Sequence, residues 1–358
     1  MRELRRAVGQ LAIVGFPGHT VPQDLRHLAR EFDLAGVIYF ARNVAEPAQV
    51  AELSRECAEL RRETPLWISV DQEGGRVARM RAPFTVWPPM LALGRSDAPG
   101  LVEAFGAALA AEMRAVGVNL DFTPVLDILT NAKNPVIGDR SLGTTPETVT
   151  RTALALMEAM HAGGVATCGK HFPGHGDTSV DSHFDLPLVE HPPDRLRAVE
   201  FAPFRAAIAA GIPTLMTAHL LVPALDETVP ATLSSRVVTD VLKGELGFGG
   251  VVFTDDLGMK AVAAQWPLPE ALVAAIAAGC DVGLLCNSTQ DEQLQALEAV
   301  VYALEDGRLS RSRVEDAIAR QHRVKARFAS TLLPTTTDLS VVGRDTHQAV
   351  AARMAAFL

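Results

Sequence analysis

The sequence lacks the cysteine pattern of a disulfide-rich or zinc-binding protein. It has four cysteines among 358 residues, and none of them shows a CxxC or other paired spacing. Such scattered cysteines are typical of a reducing compartment, so we expect a cytoplasmic protein. Cys168 and Cys286 lie in apolar runs and are expected to be small core residues.

Long apolar runs and an excess of basic charge are also missing. The N-terminal residues Met1–Arg6 are not followed by an apolar stretch of signal-peptide length, and no stretch is long enough to span a bilayer. The net charge is −9, from 33 Lys and Arg against 42 Asp and Glu. This balance disfavours nucleic acid and anionic membranes as partners.

Two nucleotide-binding signatures and any obvious linker are absent as well. No GxGxxG follows the first apolar run, and no GxxxxGKS/T occurs in the sequence. Both absences disfavour enzymes that bind dinucleotides or nucleoside triphosphates. Because no Ser/Gly-rich or Pro-rich stretch divides the chain, we expect one catalytic domain over residues 1–358.

What the sequence does contain is a regular alternation of short apolar runs with amphipathic helical stretches. Most of these runs consist of consecutive apolar residues that do not alternate with polar ones, as in parallel strands that are buried on both faces. Eight such units predict an α/β fold, a single (β/α)8 TIM-type barrel, although periodicity alone leaves an open doubly wound sheet as the alternative. The predicted strands are Gln10–Phe16, Gly36–Phe40, Leu66–Val70, Val118–Phe122, Val165–Gly169, Thr214–Thr217, Val251–Thr254 and Asp281–Cys286.

The helical stretches place the barrel within the chain. In residues 100–116 apolar side chains recur every four residues, which gives one buried helix face. Thr145-Pro146-Glu147 is a typical helix start. We expect the barrel over about residues 10–305, with an extra C-terminal helix and tail in 306–358.

Polar side chains gather where the predicted strands end, which is where barrel active sites form. Asp71 follows the third strand, His219 the sixth and Asp255 the seventh. The segment Lys170–His183 follows the fifth strand and holds three His, two Asp and one Lys within fourteen residues, interleaved with Gly and Pro. A cluster this dense is more than a solvated loop needs, so we expect the site here.

Residue chemistry alone leaves two readings of this segment. In the first, a metal ion is bound by some of its His and Asp side chains. In the second, a His with a carboxylate partner is the general acid/base, and a carboxylate on another strand is the nucleophile. Asp181 and His183, two residues apart, suit the second reading. The possible metal ligands are His171, His175, Asp177, Asp181 and His183.

The Lys170–His183 segment closely resembles the signature of family 3 glycoside hydrolases. It is most similar to their β-N-acetylglucosaminidase (β-hexosaminidase) branch, which works on cell-wall fragments. The resemblance covers roughly residues 10–330. Four more segments match in order and spacing: Val70–Val77, Asn119–Asp127, Ile137–Arg140 and Phe253–Met259.

The resemblance implies a role for each site residue. Asp255 would be the nucleophile that forms a covalent glycosyl-enzyme, and His183 the general acid/base with Asp181 as its partner. No metal and no organic cofactor are implied. Five residues would bind the terminal N-acetylglucosamine: Asp71, Arg79, Arg140, Lys170 and His171.

The neighbours of these residues are expected to support the site. Asp256 would cap a helix or stand behind Asp255, and Arg76 would brace its own loop. His175 and Asp177 would hold their loop by hydrogen bonds. His219 is expected in contact with substrate or one layer behind it.

The expected function is therefore a retaining exo-β-N-acetylglucosaminidase that acts on small saccharides such as muropeptide fragments in peptidoglycan recycling. The alternatives are a phosphorylase using the same site, a metal-dependent barrel hydrolase and a barrel that binds sugar without turnover. A β-glucosidase of the same family is disfavoured because those enzymes typically carry a second domain with a carboxylic acid/base. The adjacent acids Asp255 and Asp256 also suggest cleavage assisted by the substrate acetamido group, but a separate His-Asp pair argues against it.

Overall fold

The computed structural model describes residues 2–60, 64–179, 186–329 and 338–358. Eight parallel strands close into a barrel in the order β1-β10-β9-β8-β7-β6-β3-β2, and β1 pairs with β2. Strands β4 and β5 form a small antiparallel hairpin beside it. The strands are β1 (Ala12–Val14), β2 (Gly36–Tyr39), β3 (Trp67–Val70), β4 (Gln72–Gly74), β5 (Val77–Ala78), β6 (Leu120–Asp121), β7 (Ala166–Phe172), β8 (Thr214–Thr217), β9 (Val251–Asp256) and β10 (Val282–Leu285).

The closed sheet confirms the predicted barrel, and each of the eight predicted runs overlaps one barrel strand. Two strands run past their predicted ends, because the apolar pattern stops before the strand does. Strand β7 continues through Lys170 and His171, and β9 continues through Asp255. These polar residues therefore belong to the strands. The pairing with β8 is irregular between Gly169 and Phe172, and Lys170 donates its backbone N–H to Pro124 while His171 donates to Asp127.

Helices surround the barrel and follow the expected signals. Thr145 caps α6 by accepting a hydrogen bond from the Thr148 backbone at 3.3 Å, with Pro146 in the first turn. The stretch at 100–116 forms α5. The α-helices are α1 (Arg2–Gly9), α2 (Gln23–Phe32), α3 (Pro47–Ala58), α4 (Leu91–Arg95), α5 (Leu101–Ala115), α6 (Pro146–Ala162), α7 (Pro193–Arg195), α8 (Ala202–Ala209), α9 (Lys260–Ala263), α10 (Leu268–Ala278), α11 (Gln290–Glu305), α12 (Arg311–Phe328) and α13 (Asp345–Ala355).

Shorter helical segments complete the described chain. Segments of π-helix lie at Leu196–Glu200 and Arg236–Glu245. Turns of 3-10 helix lie at Ala41–Asn43, Gly138–Arg140, Ala231–Leu233 and Leu339–Val341. Among the residues that the structure describes, no helix combines the length and apolar character needed to cross a lipid bilayer.

Apolar side chains fill the barrel, and α12 closes its amino-terminal end. Phe122 and Phe253 pack edge to face inside, with ring centroids 5.7 Å apart. Phe328 of α12 joins this cluster from below. Lys325 donates a hydrogen bond from Nζ to the Ala35 carbonyl at 2.9 Å, just before β2 begins. The floor is therefore sealed, and the carboxyl end is left for a site.

The C-terminal helix α13 packs against α5, as expected of a tail that lies on the barrel. Buried Glu112 of α5 accepts hydrogen bonds from His347 Nδ1 at 2.8 Å and from the Gly343 backbone at 3.0 Å. The four cysteines are buried and have free thiols, and Cys168 and Cys286 lie in the cluster inside the barrel. Their predicted place in the core is confirmed.

Asp281 anchors α12 to the sheet, and its loss should destabilise the fold. The fully buried carboxylate accepts hydrogen bonds from Lys243 Nζ at 2.8 Å, the Val252 backbone at 2.9 Å and Arg313 of α12. Asp281→Ala leaves two cations without their buried partner, so we expect a loss of about 3–5 kcal/mol in the free energy of unfolding. Urea unfolding followed by circular dichroism measures it.

The matched control is Asp306→Ala, which removes a carboxylate paired with Arg308 at the surface. Exposed pairs contribute little to stability, so its unfolding midpoint should stay at the wild-type value. Equal midpoints for the two variants would contradict the anchoring role of Asp281.

Candidate active site

A cavity opens at the carboxyl end of the barrel and collects the predicted strand-end residues. Its volume is about 160 Å³. Asp181 and His183 lie outside the described residues, so the structure gives no position for them. The predicted residues that line the cavity are Asp71, Arg79, Arg140, Lys170, His171 and Asp255.

Lys170 forms the centre of a buried cluster of charges. Its Nζ lies 2.8 Å from Asp71 Oδ1 and 2.6 Å from Glu73 Oε1, and its side chain is 2% exposed. Arg79 Nη2 lies 3.3 Å from the other Asp71 oxygen. Burial alone would lower the pKa of Lys170, but the two carboxylates outweigh it and hold the pKa above its usual value.

Glu73 connects this cluster to Arg140. The guanidinium donates from Nε and Nη2 to the two Glu73 oxygens at 2.9 and 2.8 Å, a bidentate pair. Burial would raise the pKa of Glu73, but Arg140 and Lys170 more than offset it and keep the side chain ionised. Sequence reasoning gave Glu73 no role, although it lies in the segment Asp71–Arg76. Its partners become evident only when β4, β7 and the 3-10 turn at Gly138–Arg140 are brought together.

Asp127, also without a predicted role, orients His171. Its Oδ2 lies 2.6 Å from His171 Nδ1, and its Oδ1 accepts from the His175 backbone at 2.6 Å. Arg140 Nη2 approaches His171 Nε2 at 3.4 Å. Because a carboxylate only accepts, the short contact to Asp127 places a proton on Nδ1. Asp127 therefore fixes the position of the ring.

The structure separates the neighbouring acids Asp255 and Asp256. The Asp256 carboxylate accepts hydrogen bonds from the Cys286 and Gly258 backbones at 3.0 and 3.1 Å, and from Asn287 Nδ2 at 3.0 Å. The Asp255 carboxylate lines the cavity, and its Oδ1 accepts from the Asp256 backbone at 2.8 Å. Both acids line the cavity, but three hydrogen bonds hold the Asp256 carboxylate, two of them from residues at the end of β10, whereas Asp255 is more accessible.

His219 stands behind this pair. It is buried, its Nε2 donates to the Asp256 carbonyl at 2.9 Å, and its Nδ1 lies 2.9 Å from Thr232 Oγ1. Burial lowers the pKa of His219, and Thr232 Oγ1 in turn donates to the Ala218 carbonyl at 2.9 Å. Of the two expected places, His219 takes the one behind the cavity and fixes the peptide that follows the candidate nucleophile.

His175 and Asp177 hold the start of their loop, as expected. His175 Nδ1 lies 2.7 Å from Thr178 Oγ1, and the Asp177 carboxylate contacts Thr130 Oγ1 at 2.9 Å and His191 Nε2 at 2.6 Å. His175 and Asp177 are two of the possible metal ligands, and these contacts give each of them different protein partners. In the described part of the chain, no three His, Cys, Asp or Glu side chains converge as metal ligands.

Arg76 braces a different loop from the one expected. Its guanidinium donates to the carbonyls of Pro135, Val136 and Ile137, with a 3.1 Å contact to the first, and it lies 3.4 Å from Asp139. The expectation that it holds its own loop was wrong, because the carbonyls within reach belong to the segment before Arg140. Arg76 thereby positions a cavity residue from outside.

Residues 3–324 match the family described as the glycosyl hydrolase family 3 N terminal domain. The chain belongs to glycoside hydrolase family 3. It is 40% identical over 300 residues to a beta-hexosaminidase of Alkalilimnicola ehrlichii, covering 82% of this chain and 84% of the relative. It is 39% identical over 311 residues to a beta-hexosaminidase of Pseudomonas aeruginosa, with coverage of 86% and 92%.

Solved structures of the family agree with this assignment. A family 3 beta-N-acetylglucosaminidase from Paenibacillus sp. str. FPU-7 superposes with a TM-score of 0.92 at 43% identity, covering 99% of this chain and 68% of that one. NagZ from Neisseria gonorrhoeae, solved with N-trifluoroacetyl-D-glucosamine, gives 0.78 at 32% identity and covers 97% of both chains. The chain is a family 3 glycoside hydrolase of the β-hexosaminidase type, as its motifs implied.

One further acid of this family 3 enzyme lies beneath the charged cluster. Asp121, at the end of β6, accepts a hydrogen bond from the Gln72 backbone at 2.9 Å, while its fully buried Oδ2 has no partner among the described residues. Burial raises the pKa of Asp121 to about 8, and the carboxylates of Asp71 and Glu73 add to the rise. We therefore expect this side chain to be the uncharged acid at neutral pH.

This state of Asp121 predicts a pH-dependent effect of Asp121→Asn. The native wild type keeps a proton that the unfolded chain releases above its ordinary pKa of 3.8, so wild-type stability falls as the pH rises toward about 8. Asparagine binds no proton, so the stability of the variant relative to wild type should rise by about 1 kcal/mol per pH unit between pH 5 and 8.

Urea unfolding at several pH values in this range measures the difference. Asp306→Asn is the control, because Asp306 is an exposed acid with a lowered pKa and should add no slope above pH 5. A constant difference between wild type and Asp121→Asn across the range would show that Asp121 is ionised in the native state.

Proposed function

We propose that this enzyme is a retaining exo-β-N-acetylglucosaminidase that releases terminal N-acetylglucosamine from small cell-wall saccharides. The observation that carries the proposal is the polar cluster that lines one small cavity together with Asp255. The barrel core closes this cavity from below, which favours one terminal sugar over a chain that passes through. The names of its relatives point to the same sugar.

In this proposal the charged cluster binds the terminal sugar. Asp71 accepts hydrogen bonds from hydroxyls, whereas Arg79, Arg140, Lys170 and His171 give the cavity its other polar contacts. Glu73 and Asp127 hold these side chains before the sugar arrives, so binding requires little reorganisation. Each buried charge already has a partner, which keeps the apo cavity stable.

Asp255 is the nucleophile. Its carboxylate attacks the anomeric carbon, the bond from that carbon to the leaving oxygen breaks, and a glycosyl-aspartate forms. His183, held by Asp181, gives its proton to the leaving oxygen. In the second step His183 takes a proton from water, the water oxygen attacks the anomeric carbon, and Asp255 is released with overall retention.

The roles of Asp181 and His183 rest on their motif, because both lie outside the described residues. We also take residues 1–358 as one catalytic unit and place the reaction in cytoplasmic peptidoglycan recycling, with muropeptide fragments as substrates.

Asp255→Ala should abolish nitrophenol release from 4-nitrophenyl N-acetyl-β-D-glucosaminide, because no carboxylate remains to attack the anomeric carbon. Added azide should restore turnover and give the α-configured glycosyl azide, which chromatography and NMR identify. Asp226→Ala removes an acid outside the cavity and should keep full activity. Full activity of Asp255→Ala would overturn the assignment, and a β-configured azide would identify the acetamido group as the nucleophile instead.

His183→Ala should slow hydrolysis of N,N′-diacetylchitobiose by about 10²–10⁴-fold, because the leaving sugar needs a proton. Hydrolysis of a dinitrophenyl glycoside, whose leaving group departs without a proton, should slow much less. Comparing kcat/KM for the two substrates measures the difference. Equal losses would count against a role in proton donation.

A phosphorylase is an alternative because a His acid/base brings no carboxylate charge that would repel phosphate. The same substrates test it. The wild type is assayed with and without inorganic phosphate. We expect free N-acetylglucosamine in both cases, and N-acetylglucosamine-1-phosphate as the main product would replace the hydrolase by a phosphorylase.

A further inference from the structure

The aromatic ring of Phe40 contacts two cations beside the active cavity. Phe40 directly follows β2, lines the cavity and is half-buried. The guanidinium carbon of Arg42 lies 4.5 Å from the centre of its ring, and that of Arg79 lies 5.4 Å from it. Both distances are short enough for a favourable cation–π contact. The reaction proposed above gives no role to Phe40 or to Arg42.

Arg79 needs such a contact, because hydrogen bonds hold its side chain less firmly than that of Arg140. Within the described ranges, the Arg79 guanidinium donates only to Asp71 Oδ2, at 3.3 Å, and its buried Nε has no hydrogen-bond partner. Arg140 instead forms a bidentate pair with Glu73 at 2.9 and 2.8 Å. One long hydrogen bond leaves the torsions of a long side chain poorly restrained. The ring of Phe40 therefore supplies a contact that fixes the Arg79 guanidinium.

Arg42 is itself firmly held and can support the ring. Its guanidinium donates from Nε to the Phe16 carbonyl at 3.1 Å, from Nη1 to Asn287 Oδ1 at 3.0 Å and from Nη2 to the Cys286 carbonyl at 2.8 Å. These acceptors follow β1 and β10, so the cation is tied to the ends of two barrel strands. All three acceptors are uncharged, so none of them neutralises the charge that attracts the ring.

The backbone of Phe40 is fixed by buried Asn43. The Phe40 N–H donates to Asn43 Oδ1 at 2.9 Å, and the Asn43 N–H donates to the Phe40 carbonyl at 2.8 Å. Asn43 Nδ2 also donates to the carbonyls of Phe16 and Gly18, at 3.0 and 2.9 Å. The residues after β2 are thereby joined to those after β1. Phe40 thus has a fixed backbone and a fixed cation beside its ring.

We propose that Phe40 is a positioning residue that holds Arg79 in place for sugar binding, with Arg42 supporting its ring. This inference rests on the proposed function, because it takes Arg79 and Asp71 as residues that bind the terminal sugar. A guanidinium that is already in place loses less conformational freedom when the sugar binds, so binding is tighter. The contact is the same in the ground state and in the transition state, and its loss therefore weakens binding more than it slows the chemical step.

Phe40→Leu keeps an apolar side chain and removes the aromatic face. Loss of the cation–π contact should raise KM for 4-nitrophenyl N-acetyl-β-D-glucosaminide by about 3- to 10-fold. The value of kcat should stay within about 2-fold of wild type, because the contact is not specific to the transition state. Calorimetry with N-acetylglucosamine should show a similar loss of affinity. Phe40→Tyr keeps the ring and should recover most of the wild-type KM.

A double-mutant cycle separates positioning from direct contact with the sugar, because Phe40 lines the cavity. If Phe40 acts through Arg79, Phe40→Leu should change KM little in the Arg79→Ala background, and the two effects will not be additive. A side chain that binds the sugar itself would lose its contact in both backgrounds. An equal rise in KM with and without Arg79 would overturn the positioning role.

Arg42→Ala tests the support of the ring and should raise KM by a smaller factor than Phe40→Leu. Arg327→Ala is the matched control, since Arg327 is also exposed and lies 5.0 Å from the ring centre of Phe328, at the opposite end of the barrel. The control should keep the wild-type KM. Equal KM values for Arg42→Ala and Arg327→Ala would overturn the supporting role of Arg42. Failure of the proposed function is a separate outcome, because the wild type would then neither bind N-acetylglucosamine nor release nitrophenol.

Discussion

The buried charge cluster around Lys170 is the interaction on which the site depends. Three segments distant in sequence meet there: the hairpin region with Asp71 and Glu73, the end of β7 with Lys170, and the 3-10 turn with Arg140. Removing such charges from water is costly, and only mutual pairing with good geometry offsets the cost. The cluster therefore forms in one arrangement, and in forming it fixes the loops that carry it.

The barrel makes this cluster possible by dividing its interior into two parts. Below, aromatic and aliphatic side chains such as Trp67 and Phe253 fill the barrel, and Phe328 of α12 closes it. Above, the inward positions at the ends of β3 and β7 carry charge instead. An apolar floor under a charged layer keeps water out from below, so Coulomb attraction between the pairs is stronger than at an open surface.

The sequence predicts the barrel well because burial on both faces leaves a clear apolar signal in each strand. That signal fails where strands carry polar residues, and so β7 and β9 run three and two residues past their predicted ends. The hairpin β4–β5 was not predicted, since its residues are too few and too polar to show a strand pattern. Strand limits near the site are thus the least predictable part of this fold.

Some site residues are likewise evident in the sequence and others are not. Asp71, Lys170 and Asp255 stand out in sequence because each is a charge where an apolar run ends. Glu73 and Asp127 contact side chains 67 and 44 residues away, and no local pattern reveals such a pair. Arg76 shows the converse, because its position in the motif suggested a local role and its contacts lie elsewhere. Glu73 and Asp127, which hold cavity residues in place, are therefore identified only from the structure, whereas Asp71, Lys170 and Asp255 show in the sequence.

The position of Asp255 relative to the cluster has a chemical consequence. A carboxylate paired with a guanidinium or an ammonium has its lone pairs engaged and is a weak nucleophile. Within the described residues, the cations of the cavity pair with Asp71 and Glu73, and none forms an ion pair with Asp255. Asp255 accepts one backbone hydrogen bond, which orients it without neutralising it. In the proposed reaction, the cluster thus pairs the cations that would bind the sugar with Asp71 and Glu73, and leaves the carboxylate of Asp255 for attack on the anomeric carbon.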